Sequence, residues 1–309
     1  MAYEYHDPVL LQACLEGLNI RPDGVYVDVT FGGGGHSKAI LAQLGPKGRL
    51  ISFDRDRDAW KNASALVSAE GKEDERFTLV PADFRWMKNH LRYLHALPVD
   101  GLLADLGVSS HQFDTGARGF SFRFDGPLDM RMDHRAKRTA SQLLRDLDEP
   151  ALTAMLRNYG EVDAAHRVAR QLVSANAETS IGTTFQLVEA LRPVTPRGKE
   201  SSFLAQVFQA LRIAVNDELG ALEALLKQSA DVIAPGGRLV VMSYHSLEDR
   251  LVKNWMRSGN LHGEETTDVF GNRERPFNPS SNKAIQPTDL EIARNPRARS
   301  ARLRIAKRL

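Results

Sequence analysis

The chain has 309 residues, about twice the length of a typical single domain, so one large or two unequal domains are expected. It is 42% hydrophobic and 26% charged, with 23 Gly and 14 Pro, which is typical of a globular protein and excludes collagenous, disulfide-rich and wholly disordered classes. The 41 Lys and Arg nearly balance the 39 Asp and Glu, and the net charge of +2 identifies no partner. The single cysteine, Cys14, excludes an internal disulfide and a cysteine-cluster metal site.

The sequence predicts neither a membrane span nor a bound metal. No window approaches the ~18 apolar residues that a span requires, and the opening MAYEYHDPVLL has no basic stretch before an apolar run, so we expect a cytoplasmic protein without membrane contact. None of the nine histidines lies in an HExxH arrangement. We therefore expect chemistry that needs no metal.

The first third of the chain alternates predicted helices and strands. A helix comes first, with Asp7 as its N-cap and Cys14 on its apolar face, which predicts a core position for the thiol. Alternation of this length favours a parallel sheet covered on both faces. Helices are predicted over 8–18, 36–44, 58–69 and 85–94, and strands over 25–29, 49–53, 77–80 and 99–104.

The alternation stops after Asp105. Residues 113–198 show four helical patterns and no convincing strand, so we expect an inserted helical subdomain between two parts of an α/β domain, 1–112 and 199–309. The remaining elements are predicted as one long amphipathic helix from Phe203 to Leu226, a strand over 238–244, a helix over 247–256, a partly mobile polar stretch up to Asn282, and a half-exposed edge strand over 301–306.

The strongest local motif is the four-glycine loop between Phe31 and His36, which joins the first strand to a helix. Glycines at such a junction let a ligand approach the backbone closely. A dinucleotide fingerprint is disfavoured, because its third glycine would fall on Ser37 or Lys38. A phosphate-binding P-loop fails as well, because each Gly-Lys pair of the chain is followed by Glu.

Acidic residues at the strand ends favour S-adenosylmethionine as the ligand. Asp28 ends the first strand and Asp54 follows the second, where a carboxylate can accept hydrogen bonds from both ribose hydroxyls. The glycine loop leaves room for an uncharged or cationic tail in place of a pyrophosphate. Asp83 and Phe84 follow the third strand and are candidates to hold the adenine. The alternatives are a tight glycine turn with Asp28 capping the helix, an ordinary strand-end carboxylate for Asp54, and a core position for Phe84.

Asp105, after the fourth strand, lies where amino-group methyltransferases present a polar residue to the reacting nitrogen. The following Leu-Gly-Val-Ser-Ser110 lacks the Pro-Pro-aromatic of many such enzymes. The residues alone therefore do not identify the catalytic group.

Eleven segments in one order, spread over nearly the whole chain, carry a family resemblance. They are His6-x-Pro-Val-Leu-Leu11, Asp28-x-Thr-Phe-Gly-x-Gly-Gly-His-Ser37, Asp54-Arg-Asp56, Asp105-Leu-Gly-Val-Ser-Ser110, Arg118-Gly-Phe-Ser-Phe122, Gly126-Pro-Leu-Asp-Met-Arg-Met132, Tyr159-Gly-Glu161, Phe208-Gln-Ala-Leu-Arg-Ile213 with Val215-Asn-x-Glu-Leu219, Pro235-Gly-Gly-Arg-Leu239, His245-Ser-Leu-Glu-Asp-Arg250 and Asn295-Pro-Arg-Ala-Arg-Ser300. Together they closely resemble the bacterial ribosomal RNA small subunit methyltransferase H (MraW) family. Gly33 and His111 depart from common family residues, and 259–282 matches least.

The resemblance implies a class I, Rossmann-like α/β methyltransferase with an inserted helical subdomain. The implied reaction is S-adenosylmethionine-dependent methylation of N4 of a cytidine in the decoding region of 16S rRNA, position 1402 in the usual RNA numbering. The implied partner is 16S rRNA within the small ribosomal subunit. Carried over by position, the cofactor contacts are Gly34, Gly35, His36, Asp54, Phe84, Asp105 and Gln112.

Several residues are candidates for the proton acceptor that this reaction needs. Asp105 is the first candidate, since an acceptor at the amine would localise the nitrogen lone pair. If Asp105 instead holds the methionine amino group, as the resemblance implies, a backbone carbonyl of Leu106 or Gly107, or the side chain of Ser109, Tyr244 or His245, replaces it. A structural role for His245 is an equal alternative.

The target base must leave its stack to enter the site, so flanking RNA must be held. Candidates are the helical insertion, the loop with Arg118, Phe120 and Phe122, and the basic tail with Arg297 and Arg299. Core positions for the two phenylalanines and a homodimer surface on the insertion are the alternatives.

Two other functions of the chain remain as alternatives to rRNA methylation. One is a DNA amino-methyltransferase, and the other is a non-catalytic nucleotide-binding module of ribosome assembly.

Overall fold

The computed structural model describes residues 8–65, 74–267 and 274–309. Its chain divides into two compact units. The sheet unit comprises Met1–Gly107 and Leu219–Leu309, and the helical unit comprises Val108–Glu218. Among the described residues, no helix has the length and apolar character needed to cross a membrane.

The sheet unit is built on seven strands in the order β3-β2-β1-β4-β5-β7-β6. The strands β1 to β5 run parallel, and β7 runs antiparallel to both of its neighbours. The order reverses between β1 and β4, which places the carboxyl ends of these strands side by side at a topological switch point. This is the expected class I methyltransferase fold. The strands are β1 Val25–Asp28, β2 Arg49–Phe53, β3 Phe77–Val80, β4 Val99–Asp105, β5 Ile233–Ser243, β6 Phe277–Pro279 and β7 Arg302–Arg308.

Helices cover both faces of the sheet, and alternate strand residues enter two cores. In β4, Leu102 packs in one core and Leu103 in the other, and both are fully buried. Cys14 lies buried in the same core as Leu103, as predicted, and burial raises the pKa of its thiol. The α-helices are α1 Leu11–Leu18, α2 Gly35–Leu41, α3 Arg57–Trp60, α4 Met87–Tyr93, α5 Ser110–Asp114, α6 Ala140–Asp146, α7 Glu149–Gly160, α8 Ala165–Glu178, α9 Thr184–Leu191, α10 Glu200–Asn216, α11 Glu218–Val232, α12 Ser246–Ser258 and α13 Asp289–Arg294.

The helix predicted over 58–69 is much shorter in the structure. Asp56 caps α3 by accepting the backbone N–H of Asp58, and the chain tightens into a 3₁₀ turn over Lys61–Ala65. The remainder of that prediction, and the Asp7 cap of the first helix, lie outside the described residues.

The predicted edge strand at the end of the chain is not an edge. β7 lies between β5 and β6, and β6 pairs with residues 306–308. Sequence analysis missed β6 because three residues, one of them Pro279, give no alternation to detect. Phe277 is fully buried, so this end of the polar stretch is anchored in the core. The part of the expected mobile stretch over 268–273 lies outside the described residues.

The single long helix predicted from Phe203 to Leu226 is also wrong, because α10 and α11 are separate. Asp217 between them has a left-handed backbone, with φ of 46°. The Asn216 side chain fixes the break, since it donates to the Met130 carbonyl at 2.7 Å and accepts the Met132 N–H at 2.8 Å. Apolar spacing continues across the break and could not reveal it.

The helical unit has a core of its own. It contains Leu143, Leu156, Leu172, Leu187 and Leu211, all essentially excluded from solvent. α10 packs on α6 and α7, so this unit extends beyond the predicted 113–198 insertion at both ends.

Candidate active site

Asp28 ties the glycine loop to the end of β1. Its Oδ2 accepts the Ser37 hydroxyl at 2.7 Å, and its Oδ1 accepts the Thr30 N–H at 3.0 Å. Ser37 Oγ lies 2.8 Å from Ser52 Oγ on the neighbouring strand. Only 1% of Asp28 is exposed, so its carboxylate is committed to holding α2. This favours the structural alternative for Asp28 over contact with a ribose.

The backbone of the loop needs glycine at two positions with left-handed conformation. The φ angles of Gly32 and Gly34 are 51° and 77°. A Cβ atom on Gly34 would lie 3.0 Å from the Phe31 ring, and one on Gly35 would overlap the Pro8 ring. A Cβ atom on Gly32 would meet nothing closer than 3.9 Å, so open space adjoins the loop there.

Asp54 follows β2 and faces the same loop. Its Oδ2 accepts the Gly32 N–H at 2.8 Å, and its Oδ1 accepts the Asp56 N–H at 2.7 Å. A carboxylate offers about four acceptor positions, so each oxygen retains one for a ligand. Asp54 is only half-buried, so its carboxylate is open to a ligand.

Asp105 ends β4 among three polar partners. The Tyr244 hydroxyl donates to its Oδ1 at 2.8 Å, and His36 Nδ1 lies 3.7 Å from its Oδ2. Its backbone N–H donates to the Thr30 hydroxyl at 2.7 Å, which links the ends of β1 and β4. A quarter of the Asp105 side chain is exposed, so the carboxylate remains accessible to a cation.

Tyr244 follows β5 and packs against the chain after Asp105. A Cβ atom on Gly107, whose φ is +100°, would lie 3.3 Å from the Tyr244 ring. Burial and the neighbouring Asp105 raise the pKa of Tyr244, so its hydroxyl stays protonated and donates. This removes Tyr244 as a proton acceptor and makes it a support for Asp105.

Two of these carboxyl groups titrate far above their ordinary range. Burial raises the pKa of Asp54 to about 6, against the opposing hydrogen bonds from the Asp56 and Gly32 amides. Burial likewise raises the pKa of Asp105 to about 6, against the opposing effects of His36 and Tyr244. Both groups therefore change charge in the same range, near pH 6.

The third strand end is arranged around Asp83 and Phe84. Asp83 caps the 3₁₀ turn Phe84–Trp86 by accepting the Arg85 N–H, and its Oδ2 accepts from Arg55 at 2.9 Å. Phe84 is half-buried against the core. The Asp83 carboxylate is thus occupied, while the ring of Phe84 keeps one part of its surface free.

His245 is the N-cap residue of α12, and its ring lies against the first turn of that helix. Its side chain is 9% exposed, and its Nε2 lies 3.2 Å from Glu248 Oε1. Glu248 Oε2 accepts the Tyr244 N–H at 3.0 Å, so the carboxylate joins these two residues. Neither ring nitrogen of His245 makes an aligned hydrogen bond within the described chain. Glu248 therefore orients the ring, but the ring nitrogens are not satisfied as the structural alternative requires, and His245 stays a candidate proton acceptor.

Ser109 and Gln112 belong to the helical unit and form a capping box. The Ser109 hydroxyl accepts the Gln112 N–H at 3.2 Å, and Gln112 Oε1 accepts the Ser109 N–H at 2.9 Å. Helix capping thus accounts for the Ser109 hydroxyl, which sequence analysis placed among the candidate proton acceptors.

The loop predicted to hold RNA is largely internal to the helical unit. Phe120 is 3% exposed in the core, and the Arg118 guanidinium donates to the Arg131 carbonyl at 2.9 Å. Phe122 packs edge-on against Phe208, with ring centroids 5.5 Å apart. Phe124, which sequence analysis did not single out, is 47% exposed.

The basic tail contributes a more accessible pair. Arg297 and Arg299 lie on the 3₁₀ turn Pro296–Ser300, which Asn295 caps by accepting the Arg297 N–H. Arg299 is exposed and Arg297 is half-buried. The turn therefore presents at least the Arg299 charge to solvent.

Thr30 is the site residue that sequence analysis missed. Its hydroxyl both donates to Asp28 and accepts the Asp105 N–H. The available signal was a hydroxyl residue two positions after a strand-end aspartate, at the point where two strand ends meet.

Replacing Tyr244 with Phe should raise the pKa of Asp105 above its value of about 6, because the hydroxyl hydrogen bond stabilises the charged carboxylate. An NMR titration of carboxyl carbons measures this directly. The pKa of Asp54, which has no contribution from Tyr244, should stay unchanged and serves as the control. An unmoved Asp105 titration would show that the hydroxyl does not stabilise the anion.

Comparison with known proteins places the chain in one family. A family model described as the MraW methylase family matches residues 3–309. "Ribosomal RNA small subunit methyltransferase H" of Parabacteroides distasonis is 53% identical over 306 residues, covering 99% of this chain and 98% of the relative. The protein of that name from Cytophaga hutchinsonii is 54% identical over 304 residues, covering 98% and 99%. A solved structure described as an rRNA methylase from Streptococcus thermophilus covers 97% of this chain and 93% of its own, with 13% identity and a TM-score of 0.42. The family model spans nearly every residue, and the two curated relatives are identical to this chain at more than half of the aligned positions. The chain therefore belongs to the MraW methylase family.

Proposed function

We propose that this chain transfers the methyl group of S-adenosylmethionine to N4 of a cytidine in the decoding region of 16S rRNA, position 1402. Membership of the MraW methylase family over residues 3–309 carries the proposal, and relatives at 53% and 54% identity are named ribosomal RNA small subunit methyltransferase H. The small ribosomal subunit in the cytoplasm is the proposed setting.

The residues of the sheet unit fit this cofactor. Asp54 has one free acceptor position on each carboxylate oxygen, which suits the two ribose hydroxyls. The open space beside Gly32 leaves room for the ligand next to that carboxylate. Phe84 offers a ring surface for the adenine, at the end of the strand beside β2.

The methionine end of the cofactor is assigned to Asp105 and the glycine loop. The accessible Asp105 carboxylate suits the ammonium group, and Tyr244 holds it in place. Gly34, Gly35 and His36 form the turn beside it, with His36 Nε2 3.2 Å from the Val9 carbonyl. Gln112 stays a proposed contact on the strength of the family resemblance alone.

The bound cofactor supplies a methyl group on a positively charged sulfur. The protein's task is alignment, because cytosine N4 is a poor nucleophile whose lone pair is delocalised into the ring. Holding the two reacting atoms in line can account for roughly 7 to 11 kcal/mol of the barrier. With Asp105 assigned to the ammonium, and with Tyr244 and Ser109 already committed, we assign the acceptor of the amine hydrogen to a backbone carbonyl of Leu106 or Gly107, with the His245 ring as the remaining alternative.

RNA contacts are assigned to exposed groups. Arg299, with Arg297 beside it, can pair with phosphates, and the exposed rings of Phe124 and Phe185 in the helical unit can stack on bases. Buried Phe120 is reassigned to the core.

Methyl transfer from labelled cofactor tests the proposed function. The substrates are unmodified small subunits, naked 16S RNA and duplex DNA, and mass spectrometry locates the product. The expected product is N4-methylcytidine at position 1402. Label in DNA alone would favour the DNA amino-methyltransferase. No label in any substrate, with cofactor binding intact, would favour the non-catalytic module.

Replacing Asp54 with Ala should weaken cofactor binding more than about tenfold, because both ribose hydroxyls lose their acceptor. Calorimetry measures the dissociation constant. Asp231→Asn, which removes an exposed carboxylate that pairs with Lys88, is the control and should bind normally. An unchanged constant for the Asp54 variant would refute the ribose role.

Cofactor affinity should rise with pH through about 6. Asp54 and Asp105 are protonated below this value and bind in their charged forms, so acid must weaken binding. At pH 5, a group with a pKa of about 6 is only roughly a tenth ionised, which costs about tenfold in affinity for each required carboxylate. Calorimetry between about pH 5 and pH 7.5 measures the slope, and constant affinity would contradict the assignment.

Replacing Asp105 with Asn should raise the cofactor dissociation constant at least about tenfold, while the rate at saturating cofactor changes less. The amide keeps a partner for Tyr244 but lacks the charge that attracts the ammonium. Steady-state kinetics with varied cofactor separates the two effects. A lower saturated rate with normal binding would instead make Asp105 the proton acceptor.

A further inference from the structure

A cavity with a mixed polar and apolar lining lies in the sheet unit, toward the opposite end of the strands from the candidate active site. Its volume is about 250 Å³. Arg238, which lines it, lies opposite Gly101 in β4 and six residues before Tyr244, about 20 Å away along β5. The lining residues are Ala13, Glu16, Gly17, Arg238, Ser280, Ile285 and Ile305.

Two cations meet beside this cavity. Arg238 in β5 is the direct antiparallel partner of Lys307 in β7, so both side chains project from the same face of the sheet. Neither residue makes a side-chain hydrogen bond or ion pair within residues 8–65, 74–267 and 274–309. The Arg238 Nε–H has less than 1 Å² of exposed surface and no acceptor in that part of the chain. A buried donor of this kind needs an acceptor from outside the protein, and a ligand oxygen can supply it.

The other basic residues of β7 are occupied. Arg304 forms two hydrogen bonds with Asp249, at 2.7 and 3.0 Å, and Arg302 lies 3.5 Å from the same carboxylate. Arg308 donates to the carbonyls of Ala230 and Pro276. Lys307 is therefore the cation of β7 that has no partner among the described residues. It lies on the face of the sheet on which α1 packs.

We propose that Arg238 and Lys307 form a binding site for a nucleotide phosphate, separate from the methyl-transfer site. A guanidinium fork and an ammonium match phosphate oxygens, and the exposed Ser280 adds a hydroxyl donor. Ile285 and Ile305 provide apolar surface for an attached sugar or base. Glu16 at the exposed rim opposes several negative charges, so a single phosphate fits better than a polyphosphate.

The phosphate can come from the backbone of an RNA strand or from a free sugar phosphate. If the chain acts on rRNA as proposed, the RNA backbone is the expected source, and the site would hold the strand about 20 Å from the reacting base.

The first experimental arm uses a fluorescein-labelled single-stranded RNA and measures its anisotropy over a range of salt concentrations. Arg238→Gln and Lys307→Gln should each weaken binding about three- to tenfold and reduce the salt slope by about 0.7. Lys253→Gln, which removes an exposed charge from α12, is the matched control and should bind as the native chain does. Arg238→Lys keeps the charge and the stem, so an intermediate loss would identify the guanidinium fork.

The second arm measures ribose 5-phosphate binding by calorimetry. Loss of this binding in both Gln variants, with RNA binding unchanged, would support the site and assign it to a free sugar phosphate. Unchanged binding of both ligands in the exposed Lys307 variant and in folded Arg238 variants would overturn the proposal. Methyl transfer by the native chain is measured in a separate assay. A result against the phosphate site can therefore be distinguished from a result against the proposed function.

Discussion

Carboxylates gathered at the carboxyl ends of the parallel strands impose the main physical constraint on this protein. Burial disfavours a charged carboxylate, so each must be held by donors or become protonated. Asp28 receives hydroxyl and amide hydrogens and serves the fold. Asp54 receives two backbone amides, and Asp105 receives the Tyr244 hydroxyl. The same chemical group thus acquires different roles from the donors around it.

The incomplete satisfaction of two of these groups is what makes this end of the strands a candidate site. Asp54 and Asp105 retain acceptor positions and access, and the pKa of each is raised to about 6. A ligand with two hydroxyls and an ammonium group would supply the missing partners. The glycine loop contributes a backbone free of side chains, so the ligand and the carboxylates can approach one another.

The strand β7 shows how one sequence pattern can serve two surfaces. Its alternating residues place Arg302 and Arg304 on the side of Asp249, where ion pairs hold α12 to the sheet. Lys307 projects from the other face beside Arg238. The alternation is a strand property, but only the neighbouring acidic residue decides which cations are neutralised.

The sequence by itself determined the parallel sheet, the glycine loop, the strand-end aspartates and the family, because these depend on local periodicity and on motifs read in order. It did not determine the position of β7 between two strands, or the break at Asp217, since short strands and single left-handed residues leave no periodic signal. The roles of Asp28, Thr30 and Tyr244 were decided only by the tertiary structure. Hydrogen bonds between residues far apart in the chain distinguish a structural carboxylate from one that is open to a ligand.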